Sequence, residues 1–419
     1  MCSLHKIKLN NGINLITKIN KKTPRIAFTL YLKINEQEKY SGLYSLLNRL
    51  FFQGSKKYSS SELANILEEN AIECYSNLKA DSLQFKIFCL NDDFELALDI
   101  LSEIIENSTF EELEKEKIKL KGEIEARLDS PRSVAYDAFY RNLYKNHHYG
   151  NTMTKTLEDL DKIQKSDILD AYNNIINNSQ KVMSVVGDFN NENIVKTIND
   201  KFNYLKNQEV ESKIEEVSLN EEKIIKIEKE DVAQAQIILG YLCESYQSQD
   251  YAPILVMNTL LGACGLSSRL FLELRDKKGL AYVVRSTYEV YNKSANINVY
   301  IATHPNNIKT SIEGFLFEID RIKKTDITEE ELENTKNNIL GKRNFYYETN
   351  ILESSMYSGF EINDLGYDYE EKFIEKIKNV KIQDIKKVAD KYFNDKFVLT
   401  VLAQKEYLSQ VDEQNCKKS

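Results

Sequence analysis

The chain repeats its own pattern once, and this constrains its fold more than any other feature. Residues 12–34 read as two strands around the turn Lys21-Lys22-Thr23-Pro24, followed by a helical segment at 41–52. Residues 223–243 again read as two strands, and a helical segment at 251–262 follows. The stretch Phe110-Glu-Glu-Leu-Glu-Lys-Glu-Lys opens a long helix, and Thr328-Glu-Glu-Glu-Leu-Glu-Asn-Thr-Lys opens another. Asp167-Ile168 starts a helix that leads into the strand Val182-Met-Ser-Val-Val; Asp384-Ile385 does the same before Phe397-Val-Leu-Thr-Val-Leu. Leu113 and Leu332 are 219 residues apart, Asp167 and Asp384 217. Order and spacing agree, so the pattern predicts two similar domains rather than one continuous core.

Between the repeats, residues 207–222 carry six Glu and one Lys without apolar periodicity. This reads as an acidic, solvated linker, which places the domains at 1–206 and 223–419. Each half mixes hairpin-like strands with helices of roughly 12–20 residues, an α+β pattern rather than strict β-α-β alternation. With only 14 Gly and 4 Pro in 419 residues, long uninterrupted helices are favoured over a loop-rich all-β fold.

Charge and composition exclude several function classes. A net charge of −9 argues against general nucleic-acid binding, which needs a basic face. The N-terminal stretch has no apolar run of signal-peptide type, and no segment approaches the roughly 20 apolar residues that span a bilayer. The expected location is the cytoplasm. Cys2, Cys74, Cys89, Cys243, Cys264 and Cys416 have no framework or C-x-x-C spacing and read as free thiols. His5, His147, His148 and His304 offer no H-x-x-x-H pair, and each reads as a surface or turn residue.

The most informative local stretch is 265–288. A helix of good formers, Arg269 to Lys278, is expected to end at Gly279, after which a strand carries Tyr282. Arg275 in the last helical turn and Tyr282 seven residues later are placed to present two hydrogen-bond donors on one side. Taken alone, the pair reads first as an ordinary helix-end charge and a packed strand aromatic. The longer pattern S-R-L-x-x-x-L-R-x-x-x-G-L-A-Y resembles the C-terminal half of the insulinase/pitrilysin family of zinc peptidases. There, an arginine and a tyrosine at this spacing grip the scissile carbonyl. The resemblance covers essentially the whole chain, Val185-Val-Gly-Asp-Phe189 matching the family's V-V-G-D-F strand end. It implies two homologous α+β domains forming a clam-shell, a fold related to the mitochondrial processing peptidase and the core proteins of the bc1 complex. Gly262-Ala-Cys-Gly-Leu-Ser-Ser268 stands where some relatives have a substrate-contacting glycine-rich loop, and reads equally as a helix-to-helix turn.

The resemblance also exposes a gap. Active members carry H-x-x-E-H on a helix of the first domain, in which two histidines bind zinc and the glutamate activates water. Here Gly42-Leu-Tyr-Ser-Leu-Leu-Asn-Arg-Leu-Phe-Phe-Gln-Gly54 has the matching length and end glycines. The ligand positions fall on Ser45 and Arg49, and the base position on Asn48. Serine is a poor zinc ligand, arginine a permanent cation, and asparagine no base. The third-ligand position falls on Glu123, six residues before Asp129 of Asp129-Ser-Pro131. A pairing of Arg49 with Glu123 is expected, the guanidinium filling the space and charge of the missing metal. No cofactor is expected on this chain.

By resemblance, the chain is the non-zinc subunit of a heterodimeric metallopeptidase. Arg275 and Tyr282 would then act in trans at the zinc of a paralogous partner, which cleaves a peptide substrate. The alternative is a catalytically inactive scaffold or binding protein in an assembly or modification pathway. A self-sufficient peptidase with unforeseen ligands is disfavoured by the missing histidines.

Overall fold

The sequence repeat becomes two sheets with the same strand order in the computed structural model, which describes residues 4–324 and 327–411. The first sheet contains β1 (Leu4–Lys8), β2 (Asn14–Ile19), β3 (Arg25–Lys33), β4 (Glu73–Lys79), β5 (Ser82–Leu90) and β6 (Lys181–Gly187). The second contains β7 (Lys223–Glu228), β8 (Ala235–Cys243), β9 (Ala281–Val290), β10 (Ala295–Thr303) and β11 (Val398–Ala403). Their orders are β1-β2-β6-β3-β5-β4 and β7-β11-β8-β10-β9. Without the extra edge strand β1 the orders correspond, and so do the directions. β2 is parallel to β6 as β7 is to β11, and the remaining neighbours are antiparallel. The α+β expectation is met in both halves.

Burial follows from position in each sheet. The run Ile26 to Leu32 of β3 is buried without a break, as are all residues of β6 and β11. Such strands need cover on both faces. The edge strand β4 exposes alternate residues, and the edge strand β7 fully buries none. Gly187 ends β6 at φ +153°, and a Cβ there would lie 2.4 Å from the Arg25 carbonyl, so the close strand approach admits only glycine.

The cover over one face of each sheet comes from the other half of the sequence. The helix Asn350–Ile362 packs on β3 and β6, with Met356, Tyr357 and Ile362 joining Ile16, Tyr31, Val182 and Val186 in one core. Its small polar side chains meet the sheet closely: the Thr29 hydroxyl lies 2.8 Å from that of Ser358 and 3.1 Å from that of Ser354. Reciprocally, the helix Pro131–Leu143 packs on β8 and β11, and the Phe139 ring presses on Gly240. The compact units are therefore discontinuous. One comprises the chain up to Glu123 with Lys155–Ile214 and Asn344–Tyr369; the other comprises Ile124–Thr154, Glu215–Arg343 and the chain from Glu370.

The acidic segment has no regular secondary structure but is not a free tether in its first part. Backbone N–H groups of Asn207, Gln208 and Lys213 donate to the carbonyls of Asn11, Ser179 and Asn35, and Ile214 is buried. Cys74, Cys89, Cys243 and Cys264 are free thiols, while Cys2 and Cys416 lie outside the described residues. Among the described residues, no helix is long and apolar enough to cross a membrane.

Candidate functional site

In the first unit, the helix Leu43–Leu50 buries Leu43, Leu46, Leu47 and Leu50, a spacing of three, four and seven that lays one face on the core. Gly42 starts it at φ +93°, and a Cβ there would meet the Thr156 methyl at 2.6 Å. Ser45, Asn48 and Arg49 are half-buried on the rest of the helix. Arg49 crosses to the helix Leu113–Leu128, where Nη1 and Nη2 donate to both Glu123 oxygens at 3.1 and 2.7 Å. Its Nε donates to Glu116 at 2.9 Å. The expected Arg49–Glu123 contact is thus present as a forked pair, with a second carboxylate added.

Glu116 is 2 % exposed and also accepts from Lys119. It lies seven residues before Glu123, two helical turns along the same face, so the spacing carried the signal. Sequence reading missed it because Glu and Lys crowd this helix. Hydrogen bonding to Glu123, then to Glu116, holds the Arg49 guanidinium above its ordinary value against partial burial. Asn48 offers a carbonyl to the Ser76 hydroxyl, and its side-chain oxygen is buried without a partner. These residues do not fit a zinc ion: a permanent cation already neutralises the carboxylates at the ligand position. Among the described residues, no group of three His, Cys, Asp or Glu side chains is placed to hold a metal. His147 and His304 instead accept backbone N–H bonds from Tyr149 and Asn306, as turn caps.

In the second unit, Arg275 lies on a π-helical segment, Phe271–Lys277, rather than the expected α-helix. The wider turn accompanies burial of Leu274 against Gly314, where a Cβ would come within 2.2 Å of the leucine methyl. Gly279 ends the segment at φ +63°, the expected left-handed cap, and Leu280 N–H returns to the Leu274 carbonyl at 2.9 Å. At the other end Arg269 makes a forked pair with Glu331 at 3.0 and 2.9 Å, anchoring the helix start.

Tyr282 follows on β9 as the extra residue of a β-bulge. Ala281 faces Thr303 and Val283 faces Ala302, leaving Tyr282 unmatched across the ladder. Its side chain is 76 % exposed. The Arg275 guanidinium sits between two rings, 4.8 Å from the centre of Phe271 and 4.6 Å from that of Tyr282. One Nη donates to the Tyr282 carbonyl at 2.5 Å. No carboxylate pairs with Arg275, and the Tyr282 hydroxyl has no partner among the described residues. The structure brings the two donors side by side with most of their capacity unspent, oriented by rings, cap and bulge. Gly262, in the π-helical segment Thr259–Ala263, serves packing, since a Cβ there would strike the Ser286 nitrogen at 2.3 Å; Leu266 in the loop that follows is exposed.

Two family models match the chain in tandem. Residues 20–157 match the insulinase model of peptidase family M16, and residues 162–339 match the peptidase M16 inactive domain. Among relatives, the chain is 23 % identical over 400 residues to the uncharacterized zinc protease YmxG of Bacillus subtilis, covering 94 % of this chain and 96 % of that one. It is 24 % identical over 415 residues to the zinc protease PqqE of Helicobacter pylori, covering 94 % and 91 %. Among solved structures, a peptidase M16 inactive domain from Pseudomonas fluorescens superposes with a TM-score of 0.87 at 19 % identity, over 96 % of this chain and 100 % of that one. A protease from Helicobacter pylori superposes equally well, at 21 % identity and the same coverage. The tandem models and the shared fold show that the chain belongs to the insulinase family of peptidases, M16, as a member whose sequence carries no H-x-x-E-H zinc motif.

Proposed function

We propose that this chain is the non-zinc subunit of a two-chain M16 metallopeptidase, contributing Arg275 and Tyr282 to a site whose zinc is held by a paralogous partner. The observation that carries this reading is the contrast between the two units. Where family members hold zinc, Arg49 is consumed by two carboxylates; where they grip substrate, Arg275 has no carboxylate and Tyr282 is exposed.

In peptide hydrolysis the partner's zinc supplies the activated water. The groups of this chain act on the other reactant. The unspent Arg275 N–H donors and the Tyr282 hydroxyl bind the scissile carbonyl oxygen and strengthen their hold as negative charge develops on it. Packing between Phe271 and Tyr282 fixes the guanidinium plane before substrate arrives, which reduces the reorganisation needed in the transition state.

The test is cleavage of fluorogenic peptides by this chain, by an H-x-x-E-H-bearing relative from the same genome, and by the two mixed. Turnover that needs both chains and is abolished by a zinc chelator supports the split site. No gain on mixing, with both chains folded, would move the assignment to a scaffold or binding protein.

A further inference from the structure

A cavity of about 630 Å³ opens in the second unit, apart from Arg275 in sequence and built on the exchanged helix Pro131–Leu143. Its size is within the range of small-ligand and peptide pockets. Two of its lining residues, Arg127 and Arg132, make no ion pair among the described residues. Arg127 is exposed and Arg132 half-buried, and they differ in this from Arg49, Arg269 and Arg343, each of which has a carboxylate.

Arg132 is held by aromatic faces instead, 4.8 Å from the Tyr300 ring centre and 5.7 Å from that of Tyr136. The Arg285 guanidinium lies 5.9 Å from the Tyr300 ring centre, and the Tyr136 hydroxyl lies close to it without a well-formed hydrogen bond. The guanidinium plane of Arg132 is thereby fixed while its N–H donors remain unspent. Tyr149 and Tyr291, stacked at 4.3 Å, form an apolar wall of the same cavity.

The acidic lining residue is Asp137, whose oxygens accept the Thr154 N–H at 3.1 Å and the Thr154 hydroxyl. Two lining guanidinium groups face one lining carboxylate, and the adjoining Glu289, which accepts from Tyr140 and Tyr291, is offset by Arg285 beside Tyr136, so the balance is a single net positive charge. That balance favours a monoanion over a phosphate dianion, and the tyrosine wall favours an apolar group beside the charge.

We propose that this cavity is a subsite for a peptide carboxylate flanked by an aromatic or aliphatic side chain, held by Arg127 and Arg132. The proposal rests on the reading that the chain handles peptides, but not on a zinc partner or on catalysis. The carboxylate has two sources, an acidic side chain or a free C-terminus.

The test is fluorescence anisotropy on the full chain alone, with three fluorescein-labelled hexapeptides. One has a Phe-Glu pair and an amidated end, one a Phe-Gln pair and an amidated end, and one a Phe-Gln pair with a free terminal carboxylate. At least one carboxylate peptide is expected to bind about 10-fold or more tightly than the neutral one, and which one does so identifies the source. Arg127→Gln and Arg132→Gln should each remove most of that preference. Arg132→Lys should retain part of it. Equal affinity for all three peptides, binding of none, or a preference surviving both Gln variants would overturn the subsite. Failure of the split-site reading would appear separately, as no turnover in mixed chains despite intact peptide binding here.

Discussion

The two units repeat one strand order, yet their key arginines are spent differently. Arg49 gives three hydrogen bonds to two carboxylates, one of them buried, and so serves the fold. Arg275 gives one bond to a backbone carbonyl and rests between two rings, with no carboxylate in reach. A charge neutralised at its own site adds stability and has little left for a ligand. A charge left unneutralised but rigid is available for one. The same topology thus holds a closed position and an open one, and the side chains decide which is which.

The strongest way to break this comparison is to reopen the closed position. Ser45→His, Asn48→Glu and Arg49→His together would recreate the H-x-x-E-H helix opposite Glu123. Metal analysis after dialysis is expected to find about one zinc per chain in the triple variant and none in the parent. A folded triple variant without zinc would show that the position differs from the family's by more than its side chains.

A paired substitution comes next in size. Arg49→Ala strands Glu116 in a buried setting and should cost about 3 kcal/mol in denaturant unfolding, Lys119 limiting the loss. Arg275→Ala breaks no ion pair and should cost under about 1 kcal/mol by the same measurement. Equal losses would erase the distinction between the two sites.

Lys181 sharpens the comparison from the opposite direction, as a cation buried without any carboxylate. Its Nζ donates to the Ser179 and Lys206 carbonyls at 2.8 Å each, and burial lowers its pKa to about 8. Since the unfolded side chain keeps its ordinary, higher value, the unfolded state binds more protons between about pH 8 and 10, and stability should rise with pH there. Unfolding measured at pH 7.5 and 9.5 should show that gain, and Lys181→Met should remove it. A gain that persists in the variant would assign the slope to other groups. Glu123→Gln should also have a small effect. Its carboxylate is half exposed, so the loss should be about 1 kcal/mol or less in the same unfolding assay.

Much of this was legible in the sequence because it is local. The two strands read in residues 12–34 are β2 and β3, the helical segment at 41–52 contains the helix Leu43–Leu50, and Gly279 marked a helix end. The Arg49–Glu123 contact was legible only through the family pattern, since nothing in the 74 intervening residues dictates it. The helix exchange was not legible. Asn350–Ile362 and Pro131–Leu143 carry no local signal of their placement, and which sheet each covers depends on long-range packing such as Phe139 against Gly240. The π turn at Phe271–Lys277 and the bulge at Tyr282 were also missed: the first accompanies packing of Leu274 on the distant Gly314, and the second is a one-residue slip in the β9–β10 hairpin that apolar spacing does not mark. These two irregularities are what set Tyr282 beside Arg275.

The most direct test of the central claim is turnover by the mixed chains with Arg275→Ala in place of the parent, after sizing shows that both form the same complex with the zinc-bearing relative. Loss of an oxyanion-binding donor predicts a fall in kcat of about 100-fold or more with assembly intact. Unchanged turnover in an equally assembled complex would contradict the account and leave the open arginine without a part in catalysis.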